Sequence, residues 1–464
     1  MKNLRVFLIL LFIPVTLFLG CQQTPVEPAD LVIINAKILT IDQDKPSAEA
    51  IAIKGEWILE LGSNKQIDKY IDEATEVIDA KGRMVFPGFN DAHAHFGPLD
   101  PDYIELRYTT DPQEITRRVA EKVKTTEPGV LIYGGHWEHE MFTDKQWPTK
   151  ELLDEVAPDN PVALRRTDGH SVLVNSYILK ASGITKDTPD PFGGEIQKDP
   201  VTGEPTGIFK ESASRLLKYG AKKVELSEEA KKEKEMLGWK GGFDYAARLG
   251  VTSIQYPGGG DAEFLKSWQE KGLLTSRIDV SGRLTADKDQ LARFDALREA
   301  FPAEGNWIRF GYMKGFIDGT LGSGTLLLFE PLDDEPGKTG LPQMTYEELE
   351  KRVVASDAMG FQIGIHAIGT KANNWILNAY EKAAEVNGKR DARHRSEHAQ
   401  ILIDNDIPRF AELGVIASMQ PTHCITDKRF AEKRIGLERS KGAYAWRRLL
   451  DAGAQVAFGT DYSV

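Results

Sequence analysis

Apolar positions along the chain follow two rhythms. Leu31 to Ile41, Ala50 to Leu61 and Ala74 to Asp79 are short, β-rich runs broken by turn residues, which predicts a small all-β layer: the N-terminal part of a β-sandwich over residues 30–84. From Gly241 onward, strand-like runs alternate with helical stretches, the pattern of a parallel α/β sheet or barrel. Strands are expected at Val251–Tyr256, Ile278–Leu284, Ile308–Ile317, Phe361–His366, His394–His398, Val415–Gln420 and Gln455–Thr460. With Val85–His95 they make the strand complement of a (β/α)8 TIM-type barrel over 85–464. Helices fit between them at Asp261–Lys271, Asp287–Phe301 and Thr345–Met359, the last opened by a capping box, Thr345-x-x-Glu348. Residues from about 97 to 226 mix Pro/Gly/Asp clusters with at least one buried strand, Val130–Tyr133. That is far too long for a single βα loop and predicts a subdomain inserted after barrel strand 1, over the barrel mouth.

The N-terminus obeys a different rule. Lys2 and Arg5 precede an apolar run from Val6 to Leu19 that is too short for a comfortable membrane span, which reads as a signal peptide over 1–20. Phe18-Leu19-Gly20-Cys21 resembles a bacterial lipobox, with Cys21 as the acylated residue and a polar, Pro-rich tether over 21–29. Ordinary signal cleavage and an uncleaved anchor helix are the alternatives. The expected location is therefore the bacterial cell envelope, on the exported side of a membrane that the lipid anchor engages. Lipidation of Cys21 leaves Cys424 alone and rules out an intrachain disulfide.

Composition narrows the function. The chain is 41% hydrophobic and 28% charged, as a globular protein should be, and its net charge of −12 argues against a nucleic-acid partner. The mixed-sign run from Lys222 to Lys234 reads as a solvated helix face.

Candidate chemistry gathers at the expected strand ends. VFPGFNDAHAH ends the first strand with His93 and His95, which strand alternation turns to the same side, close enough to share a metal ion. Strand four carries Lys314, strand five ends in His366, strand six in His398 and strand eight in Asp461. Each histidine alone has an ordinary reading as a satisfied core residue, and Asp461 as a helix cap. Lys314 in an apolar strand is harder to dismiss, because a buried lysine needs a partner. Five strand ends converging on one barrel face favour a metal site over separate structural roles. Cys424 reads as an inert thiol. His136 and His139, in GGHWEHE, either line the pocket or sit idle on its rim.

The motifs PGFNDAHAH, DGHSVLVNS from Asp168, KGFIDGTLGSGT from Lys314, HAIG, RSEHAQ, QPTH and GTDYSV, in this order, resemble the amidohydrolase superfamily, in its amidohydrolase-3 group of exoenzyme-like and N-substituted-formamide-deformylase-like proteins. The resemblance runs from Leu31 to the C-terminus. It implies that His93, His95, His366, His398 and Asp461 hold one or two divalent ions, with zinc expected. Lys314 would be N6-carboxylysine, a carbamate able to bridge two metals, and Asp461 would also exchange a proton with the attacking water. Asp168, His170 and His423 would orient substrate or stabilise the oxyanion. The implied activity is hydrolysis of a C–N bond in an amide-like small molecule. An esterase or phosphoesterase on the same barrel, and a ligand-binding lipoprotein without turnover, are the competing readings. A homo-oligomer is compatible with either.

Some positions leave the family pattern. Thr370 and Lys371 follow HAIG where an acidic and a basic residue are usual, and Gly324 replaces a frequent arginine, so a substrate contact or an ion pair is expected to be missing. Relatives continue past the position of Val464 to complete the β-layer, so the sandwich is expected to be incomplete.

Overall fold

A computed structural model describes residues 26–303 and 307–463, in two compact units that divide after Gly88. The signal-peptide and Cys21 readings lie outside the described residues. Among those residues no helix is long and apolar enough to cross a membrane.

The first unit is all-β apart from one short helical segment. A four-stranded sheet orders Trp57–Gly62, Ala50–Lys54, Leu31–Ile34 and Glu76–Asp79, and a three-stranded sheet joins Ser47–Ala48, Lys37–Leu39 and Met84–Val85. Val32, Ala50 and Ala52, inward positions of the alternating runs, are buried in its small core with Ile67 of the short helix.

The second unit is the TIM-type barrel. Eight parallel strands follow one another in chain order: β1 (Phe89–Asp91), β2 (Val251–Tyr256), β3 (Arg277–Arg283), β4 (Ile308–Phe316), β5 (Gln362–Ala367), β6 (Arg395–His398), β7 (Ile416–Met419) and β8 (Val456–Phe458). Backbone hydrogen bonds draw the two ends together, from Ala92 N–H to Phe458 O (3.2 Å) and from Asp461 N–H to His93 O (2.7 Å). The first strand is shorter than its sequence predicts. It ends at Asp91, whose carboxylate accepts the N–H groups of His93 (3.2 Å) and Thr460 (2.9 Å) in place of a ladder partner, so both histidines lie just beyond the strand. Val85 belongs to the sheet of the first unit.

Helices α1 (Glu228–Arg248), α2 (Ala262–Glu270), α3 (Lys288–Ala300), α4 (Tyr346–Ala358) and α5 (Thr370–Asn387) alternate with the strands, and their apolar faces join one continuous core. Asp261, Asp287 and Thr345 cap α2, α3 and α4 with their side-chain oxygens. The capping box at Thr345 forms only in one direction, because the Glu348 carboxylate turns to Arg352 Nε at 2.7 Å. Gly241 does not mark a boundary. Helix α1 passes through it, and Gly238 and Gly242 face carbonyl oxygens of Leu99 and Gly97, where a Cβ would come within 2.8 and 2.7 Å.

The inserted subdomain holds a six-stranded mixed sheet, in the order Gly194–Lys198, Pro205–Glu211, Ser171–Val174, Val162–Arg166, Ile132–Trp137 and Ile104–Glu105. Its two faces bury separate apolar clusters, one around Trp137 and Leu164 and the other around Val174 and Phe209.

Candidate metal centre

The segments after β1 and β8 and the ends of β4, β5 and β6 bring their polar side chains to one place. Asp461 is its hub. One carboxylate oxygen lies 3.3 Å from His93 Nε2 and 3.4 Å from His95 Nε2, and the other 3.5 Å from His423 Nε2 and 3.9 Å from His398 Nδ1. Two donor groups with metal-compatible spacing result, His93–His95–Asp461 and His398–His423–Asp461, with Asp461 in both. His366 stands beside them, its ring 4.5 Å from that of His398, but its Nε2 faces the Gly319 carbonyl at 3.1 Å. Lys314 is 3% exposed, lies over the Phe316 ring and has no hydrogen-bond partner among the described residues. His423, expected to contact substrate, is thus grouped as closely with Asp461 as the expected ligands are.

Electrostatics prepare these groups as neutral donors. Burial first, then the Lys314 charge, pushes His93 down to about 4. Burial and His93 push His95 down to about 3, and His366 and His398 are held well below the usual histidine range for the same first reason. Burial raises Asp461 to about 7 against the pull of Lys314, and lowers Lys314 to about 8. Buried atoms without a hydrogen-bond partner include His93 Nε2, His423 Nε2, Asp461 Oδ1 and Lys314 Nζ. Leaving such atoms unpaired costs about 1–3 kcal/mol each, and a bound cation removes that cost for the two imidazoles and the carboxylate. The donor set therefore fits a divalent metal. His398 and Asp461 also hold left-handed backbone, φ 79° and 54°, a conformation that non-glycine residues adopt at some cost.

A layer behind the donors fixes them, and sequence reading missed most of it. Glu397 is fully buried and accepts the His93 Nδ1 proton at 2.6 Å, which leaves the Nε2 lone pair free to face Asp461. Arg395 holds Glu397 through Nε at 2.7 Å and Nη2 at 3.0 Å. Gln420 pairs with His398 Nδ1 at 2.8 Å. The visible signal was Arg395-x-Glu397, two opposite charges on the inward side of a buried strand.

Asp168 and His170 sit on the cavity wall, each tied to a partner. The Asp168 carboxylate accepts from Arg166, from Thr320 Oγ1 (2.7 Å) and from Ser323 Oγ (2.5 Å). Burial would raise its pKa, but Arg166 and His170 hold it well below the carboxylate range. His170 pairs with Glu211 at 2.9 Å, and although burial disfavours its charge, Glu211 raises it to about 9. His136 lines the same cavity and bonds Glu105 at 2.8 Å, whereas His139 is buried against Trp147 away from it. Burial raises the Cys424 thiol, in keeping with an inert cysteine. Beside Gly324, where a substrate contact or an ion pair was expected to be missing, the chain places an ion pair. Arg434 Nη1 meets Glu335 at 3.1 Å, both beside the space a Gly324 Cβ would enter.

The cavity over the donors has a volume of about 810 Å³, a size suited to a small molecule.

Comparison with known proteins agrees with this geometry. Residues 76–464 match the model of a family described as the amidohydrolase family. The chain is 35% identical over 94% of its length to Protein LONG AFTER FAR-RED 3 of Arabidopsis thaliana, covering 76% of that protein. It is 28% identical to N-substituted formamide deformylase of Arthrobacter pascens, over 93% of this chain and 80% of the relative. A metal-dependent hydrolase from Pyrococcus furiosus superposes with a TM-score of 0.65 at 26% identity, over 93% of this chain and 85% of that one.

Proposed function

Because the chain belongs to the amidohydrolase family and is a metal-dependent hydrolase of carbon–nitrogen bonds, we propose that it cleaves an amide-type bond of a small molecule over the donors gathered around Asp461. The observation that carries this reading is one buried carboxylate shared by two groups of metal-compatible donors. In it, His93, His95, His366, His398, Asp461 and a carboxylated Lys314 hold one or two zinc ions, and Asp168, His170 and His423 shape the substrate side. The position of His423 against Asp461 favours a second reading, in which it too is a ligand.

A bound divalent ion supplies Lewis acidity, bringing the pKa of a water to about 7 and polarising a carbonyl. Asp461 accepts the proton of the attacking water and returns it to the leaving nitrogen. His170, kept positive by Glu211, faces the cavity where negative charge develops on the former carbonyl oxygen. The Lys314 amine, lowered to about 8, is neutral in an appreciable fraction of molecules at neutral pH. That is the form that adds to carbon dioxide, losing a proton to give a carbamate. The N-terminal pattern of residues 2–21 supports export and a lipid anchor at Cys21, which intact-mass comparison with Cys21→Ser tests.

Metal analysis and native mass spectrometry test the centre. One or two ions per chain, an added carboxyl on Lys314 and chelator-sensitive hydrolysis of amides over matched esters and phosphoesters are expected. Folded protein that takes up no metal from zinc and bicarbonate overturns the reading.

A further inference from the structure

A second cavity, of about 1020 Å³, opens from the same centre. His95, Arg165, Gly169, His170 and Phe316 line both cavities, and Lys314 lines the second, so the two chambers meet beside His95. The second chamber has a charge opposite to that of the protein. The chain carries 70 acidic and 58 basic residues, yet Arg165, Arg215, Arg283 and Arg352 line this space against Glu211, Asp318 and, on the proposed reading, the Lys314 carbamate. Both acids are already engaged. Glu211 holds His170 and Thr325, and Asp318 accepts the backbone N–H groups of Leu327, Ile368 and Gly369.

Arg352 is paired with Glu348 at 2.7 Å. Among the described residues, the guanidinium groups of Arg165, Arg215 and Arg283 have no ion-pair partner. They come from three separate elements: the end of the Val162–Arg166 strand, the turn Ser212–Leu216 and the C-terminal end of β3, where Arg283 lies in register with Lys314. Solitary exposed arginines are ordinary on a surface. Three unpaired ones around one chamber of an acidic protein are not, and the buried Ser281 hydroxyl on the same wall also lacks a partner among the described residues.

The geometry points to an anion-binding subsite: the substrate is an amide one arm of which bears a carboxylate or phosphate, seated by Arg165, Arg215 and Arg283 while the scissile bond lies over the donors. The inference rests on the amide-hydrolase reading for its orientation but not for its anion selectivity. Arginine forks match planar carboxylate and phosphate oxygens, and charge-assisted bonds of this kind are about twice as strong as neutral ones.

Calorimetric titration of the full-length, metal-loaded protein with N-acetylglycine and N-acetylglycinamide, then with N-acetyl-O-phosphoethanolamine and N-acetylethanolamine, tests it. One anionic probe should bind at least about tenfold more tightly than its neutral twin, about 1.4 kcal/mol. The pair that shows the preference identifies carboxylate or phosphate as the anion. Arg283→Met and Arg215→Met, both at exposed positions and checked for an unchanged melting temperature, should each bring that ratio toward one. Equal affinities within both pairs, no binding by any probe, or a ratio that survives both substitutions overturns the subsite. A preserved anion preference in a protein that hydrolyses no amide would instead count against the proposed reaction alone.

Discussion

Glu397→Gln is the most searching perturbation of the site, because it changes one atom type and no volume. The Glu397 carboxylate receives the His93 Nδ1 proton at 2.6 Å and grips Arg395 at 2.7 and 3.0 Å, with no solvent contact. An amide cannot keep every contact, because one carboxylate oxygen accepts from both His93 Nδ1 and Arg395 Nη2 while the other faces Arg395 Nε. If its NH2 faces Arg395, donor meets donor. If it faces His93, the imidazole must shift its proton to Nε2, the atom aimed at Asp461. Removing one member of a buried ion pair costs about 3–5 kcal/mol. The lower end applies here, since Arg395 keeps the Ala92 carbonyl (2.6 Å), Ser418 Oγ (3.0 Å) and Gln255. Loss of such a support behind a ligand weakens metal binding by about 10–100-fold. Zinc affinity read by competition with a chromophoric chelator, and urea unfolding of the metal-free protein, measure the two effects separately. Adding Arg395→Met should recover much of the stability, because no charge is then buried alone, without restoring zinc affinity. Glu397→Gln protein that holds zinc within about twofold of wild type would refute the argument that Glu397 sets the His93 tautomer.

Asp461→Asn should lower kcat by about 10²–10⁴-fold for any amide that is turned over, since proton transfer is lost, and a steady-state assay at saturating metal checks it. Asp427 carries a pH signature. Burial raises its pKa to about 6, against hydrogen bonds from Tyr444 and Gln400. A carboxylate raised in the folded state stabilises the fold at pH values below its unfolded pKa and loses that contribution as pH rises through about 6. Asp427→Asn keeps an oxygen for both donors and should therefore stabilise the protein at pH 8 by about 1–2 kcal/mol, allowing for partial exposure, with little effect at pH 4. Unfolding at the two pH values decides it. Thr345→Ala should cost about 1 kcal/mol through the lost cap of α4, seen as a lower urea midpoint with metal content unchanged.

The barrel was legible because its strands are short apolar runs spaced by amphipathic helices, a pattern that survives without tertiary information. The inserted sheet was not, because strands such as Ile104–Glu105 are too short to show alternation, and their pairing depends on distant partners. Gly241 misled for a similar reason. The alternation was read from Gly241 onward, but α1 already begins at Glu228, and its Gly238 and Gly242 are small so that the loop at Gly97–Leu99 can lie against it. The histidines that gather around Asp461 were visible as candidates at or just past strand ends. Their supports were not, since Glu397, Arg395 and Gln420 resemble ordinary polar residues until barrel closure brings Glu397 to His93 and Gln420 to His398.

The bond between Thr460 and Asp91 spans 369 residues of chain. Ribosomes add about 5–20 residues per second, so about 20–75 s pass between synthesis of the first histidine pair and arrival of the carboxylate that completes their site. For that interval the nascent chain owns imidazoles but no finished metal centre. On the proposed reading activity is thereby tied to closure of the barrel, and an unclosed chain is a silent one.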